Sequence, residues 1–582
     1  MTYIYGTTTS IDDVVSRPTA LALTQTIEMV EELVPFVEYQ HVGMGMFATV
    51  NYPMVGSAEY LKGVQLDRTL WYQPGDPPFV PVGSRRFDPL ASEDDLRGIY
   101  PGWDRFGRIK AQAWVDGVLT VHAEEESFPN RPPIVLETYA YDKASNPISR
   151  YDSRPGAHLT DRDFQFGYDG LNRLIGSVRG DDANNDWNAR GTQVWTLDML
   201  GNWSEFRWDK NGDEDFADAS ETDIRDHNSA NELSARTLDN PSPPDTSVPV
   251  TYDKAGNVRL RYETALLRME LTHDAWNRLV RVRRPTGNIE ETLNVSEHEY
   301  NGLHWRVVSR RDTDSPPDGE IDERRGIIYS GNWQVLEEFV ESEFDPEDVD
   351  EPIAADHRMQ QFWGLRHIDD AVMLRRQANT TGGEIERTSF QLTDRQFSVV
   401  AVLDVTSALM ERVTYDPYGR AQHRWPGDFN GDGYSDGTDT AGMSLFTPIG
   451  DPAYKADEDL DRDGYIDIPD LVIAASVWSG HGPLPSGQIS DPVGPANRVG
   501  YAGYRFEPTS SLYHVRFRWY DTGLGRWMER DPAGYLDGMS AYEYVKSAPS
   551  LSNDSFGLCS RETSNKLRLI VEAKDRNCNG LP

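Results

Sequence analysis

The chain has 582 residues, with 57 Lys and Arg against 95 Asp and Glu, a formal net charge of −38. So long a chain exceeds one ordinary hydrophobic core and calls for one very large β structure or several units. A surface this acidic repels phosphate backbones and anionic membranes, which argues against nucleic acid as a partner; it suits divalent cations or simple solvation.

Aromatic residues make up 11% of the chain, with 15 Trp and 27 Tyr, too many for disorder and suited to strands. The two cysteines, Cys559 and Cys578, lie close to the C-terminus. The body therefore has no disulfide framework and no cysteine-based zinc site. No apolar run approaches the roughly 20 residues of a membrane span. The opening MTYIYGTTTSIDDVV lacks a basic region followed by an apolar one, so no signal peptide is visible, and the alternatives are a cytosolic protein or the back part of a longer one. Because the pattern starts in mid-course, the chain is expected to be the back part of a longer protein that is secreted or sits at the cell surface.

Residues 1–97 form an N-terminal region of uncertain fold, expected to hold degenerate repeats. Within it, SRPTALALTQTIEMVEELVPFVEY is the best helical candidate. Leu21, Leu23, Ile27, Val30, Leu33 and Val34 share one broad helical face, and a strand pair is the alternative.

Across residues 98–424 a motif recurs. It reads Trp103-Asp104-Arg-Phe-Gly107-Arg108, then Tyr141-Asp142 with Asn146, and most cleanly Tyr168-Asp169-Gly-Leu-Asn172-Arg173-Leu174. Further copies start at Asp198, Tyr252-Asp253, His273-Asp274, Tyr300-Asn301 and Tyr415-Asp416. The aromatic residue ends a strand and is expected to stack on its equivalent in the next copy. The Asp opens a turn by accepting nearby backbone N–H groups. Gly or Asn takes the positive-φ position, and an alternating strand returns. One such hairpin is marginal alone, but stacked copies bury a continuous face. This pattern resembles the YD repeats of the bacterial RHS family, loosely over residues 100–420. The resemblance implies a mainly β fold, a spiralling sheet of antiparallel hairpins wound into a hollow shell around a C-terminal polypeptide. The partner it implies is the chain's own C-terminal segment. Acidic, Pro-rich loops such as LDNPSPPDTS and ESEFDPEDVDEP read as surface excursions.

Residues 425–482 interrupt the repeats. The loops DFNGDGYSDGTD (428–439) and DLDRDGYIDIPD (459–470) carry oxygen side chains at positions 1, 3, 5, 9 and 12 and Gly at position 6. That is the spacing of a calcium loop, because a hard cation wants six to eight oxygens around a sharp turn. Two Ca²⁺ ions are expected. The ligands are Asp428, Asn430, Asp432, Tyr434 (backbone carbonyl), Asp436 and Asp439 in the first loop. In the second they are Asp459, Asp461, Asp463, Tyr465 (backbone carbonyl), Asp467 and Asp470. Asp at position 12 and the apolar segments AGMSLF and LVIAASVW make the pair resemble a dockerin, a small helical EF-hand module. That likeness implies a cohesin-like partner or a place in an extracellular polysaccharide-degrading assembly, with cell-surface carbohydrate as a further partner class. The bland alternative is an acidic linker.

Residues 483–558 resemble the RHS repeat-associated core. The carrying motifs are Tyr501-Ala-Gly503-Tyr504, Arg518-Trp-Tyr520-Asp521, Gly525-Arg526-Trp527, Arg530-Asp531-Pro532 and Asn553-Asp554-Ser-Phe-Gly557-Leu558. The family resemblance implies a segment that closes the shell and cuts the chain after its last Leu with an aspartyl-protease-like pair. Carried over by position, the pair is Asp531 and Asp554, the cut falls between Leu558 and Cys559, and Arg526 or Arg530 holds the ionised partner. Asp537 is a further candidate. The ordinary alternative is that each Asp caps a turn. Asp554-Ser555 stands where the family has Asp-Pro, and residues 559–582 form a tail shorter than a folded effector. Three readings follow: a secreted shell or interaction protein that cleaves itself, a dockerin-bearing accessory protein, or a toxin-delivery shell with a truncated effector.

Overall fold

The computed structural model describes the backbone of seven strands between residues 2 and 88 and most of residues 108–558 with side chains; the main gaps are 118–131, 378–386 and 477–495. The chain is a long antiparallel meander. Each strand pairs with its sequence neighbours from Thr2–Tyr5 to Thr246–Pro249. A second sheet of fourteen strands runs from Thr251–Tyr252 to Ala421–Arg424. The expected mainly β fold of stacked hairpins is what the chain forms.

The turns explain the meander. At Asp169 the backbone N–H donates to the Arg173 carbonyl, and the Asn172 N–H donates back to the Asp169 carbonyl, both at 3.0 Å. Asp169 Oδ1 accepts the amides of Leu171 and Arg173 at 2.9 Å. Asp142, Asp198, Asp253, Asp274 and Asp416 repeat the pattern with amides two and four residues on. The fourth turn residue holds φ of 64° at Asn172, 61° at Asn277 and 89° at Gly256. Such values cost little for Gly and Asn. Four further turns of this kind begin at Asn228, Ser330, Asp394 and Asp404. Sequence reading passes over them because Asn or Ser replaces the capping Asp, or Thr393 or Leu403 replaces the aromatic. The Trp103-Asp104 turn lies outside the described residues.

Neighbouring turns are tied together by side chains. Asn146 donates to Asn172 Oδ1 (2.9 Å), Asn202 to Asn231 Oδ1 (3.0 Å) and Asn257 to Asn277 Oδ1 (3.0 Å). Where the fifth turn residue is Arg, it reaches a carbonyl of the next turn instead: Arg173 to Asp198 and Arg278 to Asn301. The rung tyrosines correct the expectation of ring-on-ring stacking. Their hydroxyls reach back to the preceding copy, Tyr168 to the Pro147 carbonyl (2.7 Å), Tyr300 to Leu279 (2.9 Å) and Tyr415 to Val399 (3.0 Å). Their rings meet the C-terminal segment, Tyr252 against Tyr542 and Tyr415 against Tyr501. A phenol at a strand end satisfies an otherwise open carbonyl and still offers its face to the interior.

The helical reading of residues 16–40 is also corrected. Pro18–Ile27 and Val30–Val42 are antiparallel strands, with Leu23 opposite Val34. Pro35 cannot sit inside a helix without losing a bond and clashing with the preceding turn.

The C-terminal segment fills the space the turns enclose. Arg505–Glu507, Leu512–Val515, Arg518–Asp521 and Arg526–Trp527 form a small antiparallel sheet, buried throughout. Trp519 stacks on His298, the Tyr520 hydroxyl donates to the Tyr418 carbonyl at 2.8 Å, and the Val258 amide donates to Met528 at 2.8 Å. The insertion contributes two helices, α1 (Gly437–Thr440) and α2 (Ile468–Ser476). AGMSLF does not continue α1 as expected; it forms turns, Gly442 following the C-cap at Ala441. No helix among the described residues is long and apolar enough to cross a membrane.

The turn aspartates set the acid response. Burial alone would raise Asp169, Asp253 and Asp274, but hydrogen bonds from the following residues outweigh it and leave all three lowered. A lowered carboxylate stabilises the fold above its unfolded value and loses that contribution as pH falls through the folded one. Tm is therefore expected to fall as pH drops below about 4. In Asp274→Asn the decline should be shallower, as read by thermal melts from pH 6 downward.

Candidate functional site

Asp531 and Asp554 come together on one cation, Arg518. Arg518 Nη2 lies 3.1 Å from Asp531 Oδ2 and 3.3 Å from Asp554 Oδ2, and all three side chains are buried. Arg518 reaches this point because its strand runs through the middle of the small sheet, with Leu512–Val515 on one side and Arg526–Trp527 on the other. Its guanidinium lies 4.2 Å from the Trp527 ring centroid, its Nε donates to the Gly557 carbonyl, and Nη1 donates to Ala541 at 3.3 Å. A planar fork buried against an aromatic face is the arrangement for which Arg, rather than Lys, is suited.

Each aspartate uses its other oxygen on a turn. Asp531 Oδ1 accepts the Ala533 amide (2.7 Å), and Gly534 at φ 73° donates to the Asp531 carbonyl. Asp554 Oδ1 accepts the amides of Gly557 (2.9 Å) and Leu558 (3.1 Å), with Gly557 at φ 70°. Both residues thus cap turns in the manner of the repeats and, in addition, face a shared cation. The Tyr504 hydroxyl closes the site, accepting the Asp554 amide at 2.8 Å and donating to its carbonyl at 2.9 Å. Burial holds the Tyr504 phenol well above its ordinary pKa, so it stays a donor.

Arg526 and Arg530 stand elsewhere. Arg526 donates to the Asn231 carbonyl (2.6 Å) and lies over Tyr542; Arg530 donates to Tyr535. The guanidinium of the aspartate pair is Arg518. It belonged to a quoted motif, yet no spacing in the sequence marks it, because the contact is made across the sheet. Asp537 lies outside the described residues. The chain reaches Leu558 buried, with its amide on Asp554 and the preceding carbonyl on Arg518. The bond after Leu558 therefore starts within one residue of the charged group. A guanidinium between two carboxylates favours the charged form of each, whereas a proton-sharing pair needs one neutral member. Acid–base work here requires Arg518 to be displaced from one of them.

The two acidic loops are twins. Asp439 Oδ1 accepts the amides of Phe429 and Asn430, and Oδ2 accepts Asp436. Asp470 does the same with Leu460, Asp461 and Asp467. Position 12 thus folds each loop back on positions 2, 3 and 9. Asp436 caps α1 by accepting the Thr438 amide, and Asn430 reaches Thr438. Asp428 is buried; Tyr434 and Tyr465 expose their rings, which leaves their backbones to the loops. Asp432 lies outside the described residues. In the second loop Asp459, Asp461 and Asp463 each place a carboxylate oxygen within 4.8 Å of the others. Burial first, then the Asp459 and Asp461 charges, push Asp470 up to about 6, despite the amides it accepts. The insertion is anchored to the repeats by Asp457, which meets Arg154 (2.9 Å) and Arg162 (2.6 Å).

No protein-family model matches the chain. Two toxin subunits of Yersinia entomophaga, YenC2 and YenC1, are similar to it at 36% identity over 80 residues and 39% over 59. These stretches cover 13% and 10% of this chain, and 8% and 6% of those subunits. Among solved structures, a TcdB2-TccC3 crystal structure without its hypervariable C-terminal region aligns at 13% identity and a TM-score of 0.31, covering 90% of this chain and 28% of that one. The Photorhabdus luminescens Tc holotoxin pore aligns at 14% identity and a TM-score of 0.30, covering 91% and 28%. The chain thus spans under a tenth of the curated relatives and under a third of these solved chains. Over a short stretch it is similar in sequence to these toxin subunits.

Removing the cation tests the site as a clamp. Arg518→Met strands two buried carboxylates and is expected to cost about 3–5 kcal/mol. Urea unfolding should show the loss, and Arg526→Met, which frees one carbonyl, should lose clearly less.

Proposed function

We propose that this chain is part of a toxin-delivery-type RHS shell whose turns grip the C-terminal segment and present the bond after Leu558 to Asp531 and Asp554. The observation that carries this reading is the pair of aspartates on Arg518 beside the buried end of the core segment, where Leu558 donates to one of them. The short sequence similarity to toxin subunits supports it. In the chemistry, one aspartate, once Arg518 shifts to the other, takes a proton and acts as acid. The remaining carboxylate activates water against the Leu558 carbonyl, and the Cys559 amine leaves with the proton. A secreted or surface-exposed setting goes with such a role. Intact mass of the purified chain is the test. The wild type should lose residues 559–582, and Asp531→Asn should keep them. An uncut wild type at full mass would leave Arg518 and its aspartates as a structural clamp alone.

The second part of the reading is a calcium-clamped insertion. Its support is the convergence of Asp459, Asp461 and Asp463 and the twin folding of both loops around Asp439 and Asp470. Asp428, Asn430, Asp432, Asp436 and Asp439 would hold the first ion, with the Tyr434 carbonyl; Asp459, Asp461, Asp463, Asp467 and Asp470 would hold the second, with the Tyr465 carbonyl. Calcium would neutralise the crowded carboxylates and stabilise the insertion. Titration calorimetry should show two ions per chain, falling to one in Asp461→Asn/Asp463→Asn. Calcium-dependent capture of a cohesin-type domain would extend the module to docking; its absence would leave the ions a structural role.

A further inference from the structure

A cavity of about 260 Å³ lies between the second sheet and the start of the core segment, away from the aspartate pair. Arg311, Arg325, Arg376 and Arg498 line it, with Glu323 as the carboxylate among them. The charges behind this wall do not balance. Glu323 holds Arg311 and Arg325 at 2.5 Å. Glu338 holds Arg325 at 3.1 Å and also pairs with Arg505. Glu507 holds Arg306 at 3.1 Å and Arg498 at 3.6 Å. Arg306, Arg311 and Arg325 all act on Glu507, so these pairs form one cluster. Among the described residues, five buried guanidiniums in it thus share three buried carboxylates; Arg376 also lines the cavity.

Buried charge is tolerated when it is paired. Among the described residues this excess of two positive charges, in a chain whose net charge is −38, opens onto a cavity. Guanidinium groups bind oxyanions through two parallel N–H bonds. The volume falls just under the roughly 300 Å³ at which small-molecule pockets begin. That suits a small ligand.

We infer that this cavity is a binding site for a small oxyanion carrying two negative charges, of the phosphate or dicarboxylate class, seated among Arg311, Arg325, Arg376 and Arg498. The anion completes the charge balance of the joint between the repeats and the core segment, so its binding should tighten that joint.

The test uses the full chain, with inorganic phosphate and succinate as probes and chloride at matched ionic strength as reference. Calorimetry should show one site per chain for at least one probe, and Tm should rise with that probe beyond the chloride control. Binding of phosphate or of succinate supports the proposal and identifies the class. Arg376→Gln, at a half-exposed strand end, should bind at least tenfold more weakly. Ser342→Glu places a carboxylate at the rim; it should raise Tm without added anion and abolish the response to it. Neither probe binding, a response equal to chloride, or full affinity in both variants would overturn the proposal.

Discussion

A carboxylate that accepts two backbone amides is the unit on which this structure rests. A strand can return on itself only if the turn's N–H groups find acceptors, since buried donors left open are costly. Asp169, Asp253, Asp274 and their equivalents supply those acceptors locally, so each hairpin closes before it meets a neighbour. Where the fifth turn residue is Asn146, Asn202, Asn257, Arg173 or Arg278, it then passes a bond to the next turn. The result is a row of turns that behaves as a rail, with strands hanging from it in sequence order.

That rail explains how the C-terminal segment is held. At Gly256 a Cβ would come within 2.7 Å of the Tyr542 hydroxyl and closer still to Arg530, and at Gly419 within 2.5 Å of the Tyr501 ring. Both glycines also hold positive φ, near 90°. One residue type therefore serves two demands, the turn's conformation and the close approach of the core segment. Where a bulky residue takes the same conformation, its ring is used: Trp333 and His304 both pack on Phe517. Strain in the turns is offset by contact with the segment they enclose.

The same grammar governs the candidate cleavage site. Asp531 and Asp554 are turn caps whose second oxygens were left over, and Arg518 gathers them. A capping pair and a catalytic pair differ here only by the position of one guanidinium. Site and scaffold are the same residues, so altering either aspartate tests both, and the mass of the chain separates the two roles where stability does not.

Much of this was legible in the sequence because the signals are local. Tyr-Asp followed by Gly or Asn specifies a turn within six residues, and alternating strands between such turns specify a meander; the spacing of the acidic loops is equally local, and in both loops the Asp at position 12 accepts the amides at positions 2, 3 and 9. Copies beginning at Asn228 and Ser330 escaped because an acceptor oxygen is what the turn needs, and Asn and Ser supply it as well as Asp; those at Asp394 and Asp404 escaped because Thr393 and Leu403 stand where the aromatic is expected. Partnerships made across the sheet were decided by tertiary structure alone. Arg518 rather than Arg526 holds the aspartates because strand order, not spacing along the chain, puts it between them. The tyrosines tie rungs by their hydroxyls because the core segment takes their faces. The excess of arginines over carboxylates at the cavity, among the described residues, emerges only when five consecutive strands lie side by side and the core segment packs on them, since no short stretch of sequence carries the sum of charges that folding brings to one place.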